Sequence, residues 1–283
     1  MSISYILVLF LLQMSVGMVV TVALLPPKLV DARFFGSVGF WATLFTGIAL
    51  FVRRKSVFHL PESFGSASAA NPEIVRWMWI AFLVFFGLCA LLWLRMRFRA
   101  VSPSRLELLL ISAVGLAAVC LDSLLFRAGF PPAWAQNVLL PLNFVTTSLL
   151  LGGFLAGMMF GHHYLMNTDI PKRLLVTMAW ILIGMMALRV TAVGATLALY
   201  KEVVLPNTHF LEALTSLQGH GIFFWQRVLV GLFIPSIVVG LIWGTARIGS
   251  NQSATGIMYV AIAFVFIGEL AARYLFLLSA IPL

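Results

Sequence analysis

An all-α, polytopic integral membrane bundle of about eight transmembrane helices follows from three observations. Of the 283 residues, 62% are hydrophobic and only 10% are charged. The mean hydropathy is +1.06, well beyond a soluble domain, in which about a quarter of the residues are charged. The apolar residues also fall into eight separate runs, each close to the roughly 20 residues that a helix needs to cross a hydrocarbon core about 30 Å thick. The formal net charge of +9 does not indicate a nucleic-acid partner. The Lys and Arg residues fall mostly in short connections between apolar runs, where they set orientation and leave membrane lipids as the surroundings.

The runs lie at approximately 4–25, 35–52, 76–94, 105–126, 138–160, 174–199, 221–245 and 257–280, as one transmembrane domain over 1–283. The first has no basic residue before it and ends in LLPPK without a small-residue cleavage site, which reads as a retained helix and not a signal peptide. Pro26 and Pro27 stop it, Arg53, Arg54 and Lys55 close the second run, and SFGSASAANPE (63–73) is a polar connection to the third. Arg95, Arg97, Arg99 and Arg105 bracket the next turn; Pro131, Pro171 and Pro206 interrupt later ones, and IGSNQSATG (248–256) is the last. None of these loops holds a soluble domain, so hydrophilic catalytic machinery has to come from another chain. Nine Lys and Arg residues in alternate loops against six in the others place both termini outside, which in the prokaryotic inner membrane expected for the chain is the periplasmic side. In the fifth run Gly153, Gly157 and Gly161 form a stripe that allows close helix approach; Gly240 with Gly244, and Gly268 with Ala272, repeat the spacing.

The last run carries Glu269 and Arg273 near its middle, four residues apart and therefore on one helix face. Charges at that depth require partners or water. At 1.5 Å per residue Glu269 lies about 18 Å from the inner edge, Arg273 about 24 Å, Arg189 about 22 Å and Asp122 about 25 Å. Counted from the outer edge, Arg227 lies about 9 Å in, Asn143 about 8 Å and Gln13 about 14 Å. These groups form a polar layer in the outer half of the membrane. Glu269 can pair with Arg273, and Asp122 with Arg189 or Arg127, which leaves a cationic surplus around Arg227. A ligand with carbonyl or anionic oxygens would satisfy that surplus; a structural network with Arg227 snorkelling outward is the alternative.

A second cluster is FGHHYLMNTDIPKR (160–173), where His162, His163, Tyr164 and Asp169 are candidates for a proton pathway or for headgroup anchoring. An integral haem b needs two axial ligands at matched depth on facing helices. His162 and His163 lie at the inner face while His59, His209 and His220 lie outside, so the spacing argues against haem. Cys89 and Cys120 sit singly in apolar runs with no metal-ligand spacing, as buried thiols, and no metal site is encoded.

Eight spans, short loops and the final-helix segment GELAARYLFLLS (268–279) resemble the membrane anchor subunits of the DmsC and NrfD families. The resemblance implies a respiratory oxidoreductase complex: a quinone or quinol (menaquinone or ubiquinone) bound near the outer face without covalent attachment, and electrons passed to or from an iron-sulfur or cytochrome subunit. On that reading Arg189, Arg227 or Arg273, with Asn143 and Gln13, bind the quinone, and Glu269 or Asp122 exchanges its proton. GHHYL and the connection 53–75 map onto no motif of those families. A transporter or channel for a small anion, and a non-catalytic structural subunit, are the competing classes.

Overall fold

The computed structural model describes residues 3–55, 64, 71–99, 101–127, 132–166, 171–204, 210–217, 219 and 221–283. His59, His209, His220, Asp169, Pro131, Pro206 and most of the connection 56–70 lie outside them. The described residues form ten α-helices and no strand: α1 (Ile3–Ala23), α2 (Ala32–Lys55), α3 (Pro72–Arg99), α4 (Arg105–Ser123), α5 (Ala133–Met166), α6 (Lys172–Leu199), α7 (Phe210–Thr215), α8 (Gly221–Val228), α9 (Ile234–Arg247) and α10 (Asn251–Ser279). A π-helical turn, Leu229–Phe233, joins α8 to α9 as one crossing. Among the described residues eight segments are long and apolar enough to cross a membrane, and all eight overlap the runs read from the sequence.

Most helices exceed the apolar run that nucleates them. α5 extends from Ala133 to Met166, so His162, His163 and Tyr164 belong to a helix end and not to a loop. Backbone hydrogen bonding continues past the hydrophobic boundary because leaving a helix in the interface exposes unpaired polar groups. Burial sorts the crossings: α1, α5 and α10 are 78%, 67% and 61% buried over their central windows, whereas α3 and the α8–α9 crossing are only 28% buried. The first three form the centre and the last two face outward.

The neighbour relations repeat. α1 packs on α2, α2 on α3, α3 on α4, and α4 returns to α1; in the same cyclic order α5 packs on α6, α6 on α9, α9 on α10, and α10 returns to α5. The chain is thus two four-helix halves joined along α1 and α5, which run in the same direction because three crossings, an odd number, lie between them. Two glycine pairs set the closest approaches. An added Cβ on Gly17 would overlap the Ser148 carbonyl, and one on Gly152 would overlap the Gly17–Met18 backbone, so α1 and α5 touch backbone to backbone. Gly231 and Gly268 meet in the same way between the π turn and α10.

The glycine spacings expected from sequence are only partly used for packing. Gly153 and Gly157 receive Met185 and Leu182 of α6, and Gly161 receives Thr255 of α10, all side chains. Gly240 and Gly244 have open space where a Cβ would point, because that face of α9 looks outward. Cys89 is buried and Cys120 half-buried, and both are free thiols.

Candidate functional site: a buried arginine–glutamate centre

Glu269 projects from the middle of α10 and has no exposed surface. Three guanidinium groups converge on it. Its Oε1 lies 2.8 Å from Arg227 NH2 of α8 and accepts from Arg189 Nε of α6 at 3.2 Å, while its Oε2 accepts from Arg273 NH1 at 3.3 Å. Arg227 reaches across because the Gly231–Gly268 contact, one residue before Glu269, brings the two backbones together. The π turn beginning two residues after Arg227 redirects the chain at that contact, a placement common at functional sites.

Polar groups of α5 and α1 complete the shell. Arg189 NH1 donates to Asn143 Oδ1 at 2.8 Å and to Thr146 Oγ1 at 3.3 Å, and Arg189 NH2 donates to the Leu283 carbonyl at 2.6 Å. Asn143 is oriented by donating to Thr196 Oγ1 at 2.6 Å and to Leu139 O at 2.9 Å. Arg273 NH1 donates to its own helix at Glu269 O, 2.7 Å away; NH2 donates to Gln13 Oε1, and its guanidinium carbon lies 5.4 Å from the Phe10 ring centre. All six groups, Gln13, Asn143, Arg189, Arg227, Glu269 and Arg273, are buried. Six of the seven groups expected in the polar layer therefore form one connected network, and the seventh, Asp122, does not join it.

The pairing differs from the expectation at two points. Arg227 does not snorkel: it is 1% exposed and turned inward to Glu269. Asp122 pairs with neither Arg189 nor Arg127; its Oδ1 lies 2.7 Å from Arg53 NH1 at the end of α2. Arg53 was masked in the sequence by its place in the Arg53, Arg54, Lys55 run, which looks like a loop. The helix continues through it and turns its side chain into the bundle, 6% exposed. Arg127 is exposed. Each half of the molecule thus has an ion pair between its second and fourth crossings, Arg53 with Asp122 and Arg189 with Glu269.

Three guanidinium groups around one carboxylate leave a formal surplus of two positive charges among these side chains. Arg227 Nε and NH1 and Arg273 Nε are buried with no hydrogen-bond partner among the described residues. They are donors for an oxygen-bearing ligand or for water. A cavity of about 20 Å³ lies between the two halves, with Gln13, Asn143, Thr147, Glu269 and Arg273 as its polar lining and Phe144 and Phe276 as its apolar wall. That volume holds a single water. Phe144 and Phe276 pack edge to face at 5.7 Å, and Phe126 and Phe64 extend the cluster.

The histidine cluster is separate. His162 Nδ1 lies 3.2 Å from Tyr259 OH, His163 sits 5.6 Å from the Phe34 ring, and Tyr164 is buried. These residues are at the α5 C-terminus, whereas Asn143 is some 19 positions earlier on the same helix, about 28 Å along its axis. The two candidate regions do not meet. Among the described residues no group of three or more His, Cys, Asp or Glu side chains is arranged to hold a metal ion.

The fold and this centre define a multi-pass helical membrane protein with a shared ionic core. Comparison with family models, curated proteins and solved structures finds no match for the chain.

Proposed function

We propose that the chain is the integral membrane anchor of an electron-transfer complex, with the arginine–glutamate centre as the docking point for the head group of a quinone or quinol. The observation that carries this reading is the surplus of donors: Arg227 has two nitrogens without hydrogen-bond partners among the described residues beside the Glu269 carboxylate, and Glu269 and Arg273 in turn line a cavity with an aromatic wall. Carbonyl oxygens accept from such donors, and a flat ring packs against phenylalanine. The donor chemistry fits; the volume does not, since ligand pockets run to about 300 Å³ or more against the 20 Å³ here. Ring entry therefore requires Phe144 and Phe276 to part. Bound quinol supplies two electrons and two protons; on this reading the electrons leave to an iron-sulfur or cytochrome subunit. On this reading Arg227 and Arg273 would orient the head group, and Glu269 would accept one of the two protons while the other leaves to bulk water.

The test is binding of a fluorescent quinol analogue to the purified chain in nanodiscs. Saturable binding that weakens at least tenfold in Arg227→Met, with the variant still folded, supports the reading. Equal affinity in both proteins removes the centre from quinone binding.

A second reading has its own observation. The two like-ordered halves, with a polar cavity between them, are the layout in which transporters built from repeats bind substrate. A small anion would then pair with the cationic surplus. Anion flux by the chain alone in liposomes, abolished by Arg227→Met, would favour this reading over the anchor.

A further inference from the structure

A second site lies at the opposite end of the bundle from the Arg53–Asp122 pair, between the start of α2 and the end of α3. A cleft of about 520 Å³ opens there, large enough for a lipid headgroup and unlike the closed centre. Arg33 and Arg97 stand at its mouth, Ser37 lies one turn further along α2, and the Phe40 and Trp93 rings, 5.4 Å apart, close its deep end. The floor exists because position 36 is glycine: a Cβ on Gly36 would come within 2.8 Å of Met96 Cβ.

The cleft is amphipathic along its length. Arg33 is the second residue of α2 and Phe40 lies seven residues further on, about 10 Å deeper at 1.5 Å per residue. The cations therefore sit at headgroup level and the aromatic rings at the level of the first acyl carbons. Among the described residues neither Arg33 nor Arg97 forms an ion pair, whereas the nearby Arg95 is paired with Glu107 at 2.6 Å. Asp31 accepts from the Arg33 backbone N–H. Asp31 itself precedes α2 and is not among the residues that line the cleft. The surface beside the cleft is apolar and exposed, with Trp41 next to Phe40, and Leu94 and Phe98 flanking α3. A soluble anion would meet the two arginines but would leave the aromatic end unused.

We propose that this cleft binds an anionic phospholipid, with its phosphate between Arg33 and Arg97 and within reach of the Ser37 hydroxyl, and with acyl carbons against Phe40 and Trp93. Basic pockets between transmembrane helices recognise headgroups in this way. The assignment is independent of the quinone reading, because it uses none of the residues of the arginine–glutamate centre.

The experiment is native mass spectrometry of the full chain, delipidated and then titrated with phosphatidylglycerol, with phosphatidylcholine of identical acyl chains, or with inorganic phosphate. One phosphatidylglycerol should bind in preference to phosphatidylcholine. Arg33→Gln with Arg97→Gln should weaken it about 30-fold, about fivefold for each arginine near the surface. Ser37→Trp keeps both charges and fills the cleft, and should abolish the preference too; it decides the matter if the double variant does not fold. Inorganic phosphate should not displace the lipid. Equal binding of the two lipids, an unchanged preference in Ser37→Trp, or displacement by inorganic phosphate would each overturn the assignment.

Discussion

Replacing Glu269 with Gln should be among the most damaging single substitutions in the chain, and far worse than removing any one of its partners. Glutamine keeps the shape and one acceptor oxygen, but it turns the other oxygen into an amide NH2 facing a guanidinium. Arg189, Arg227 and Arg273 would then share a buried space without the carboxylate that joins them. Removing one partner of a buried ion pair costs about 3–5 kcal/mol. At about 2–4 °C per kcal/mol for a chain of this order of size, the unfolding midpoint should fall by about 6–20 °C. Arg227→Met works in the opposite sense. It loses one charge-assisted contact, about 1.5–3 kcal/mol, and also removes a buried cation whose unpartnered N–H groups each cost about 1–3 kcal/mol. The two contributions nearly cancel, and Glu269 retains two partners. Thermal unfolding of the detergent-purified protein, followed by tryptophan fluorescence and by gel filtration after heating, separates the cases. A Glu269→Gln midpoint within about 2 °C of the parent, or Arg227→Met as harmful as Glu269→Gln, would refute the shared-carboxylate description.

Other outcomes are expected from the same structure. Asp122→Asn should destabilise the first half by removing the carboxylate charge 2.7 Å from Arg53, while the double replacement Arg53→Met with Asp122→Leu should recover most of the loss, measured by the same unfolding assay. Gly17→Ala, Gly152→Ala, Gly231→Ala and Gly268→Ala should each reduce the folded yield on gel filtration, because the new methyl overlaps backbone. Gly240→Ala and Gly244→Ala point into open space and should leave the yield unchanged. Asn143→Leu should lower the unfolding free energy by about 1–3 kcal/mol, read as a lower midpoint in the same assay, since Arg189 NH1 and Thr196 lose a common partner.

Much of the architecture was legible because the bilayer dictates it: eight runs of membrane-crossing length became eight crossings with only their ends displaced. The polar layer was legible for the same reason, since a charge at depth must find a partner, and Gln13, Asn143, Arg189, Arg227, Glu269 and Arg273 do form one network. Pairing was not legible, because helix depth gives height and says nothing of azimuth. Asp122 and Arg189 stand at similar heights but in different halves of the molecule. Arg53 was hidden by its charged neighbours, and Thr146 and Thr196 by being ordinary helix residues. The Gly17–Gly152 and Gly231–Gly268 contacts each join two distant single glycines, which no local spacing announces. The two-half arrangement likewise appears only in the packing order of the helices.

The most direct measurement is to purify the tagged chain gently from its native membrane, identify copurifying proteins by mass spectrometry and extract bound quinone. An electron-transfer anchor should bring an iron-sulfur or cytochrome subunit and a quinone with it, and Arg227→Met should keep the partner while losing the quinone. A chain recovered alone and free of quinone would contradict the anchor reading and leave the cationic centre to anion transport or to structure.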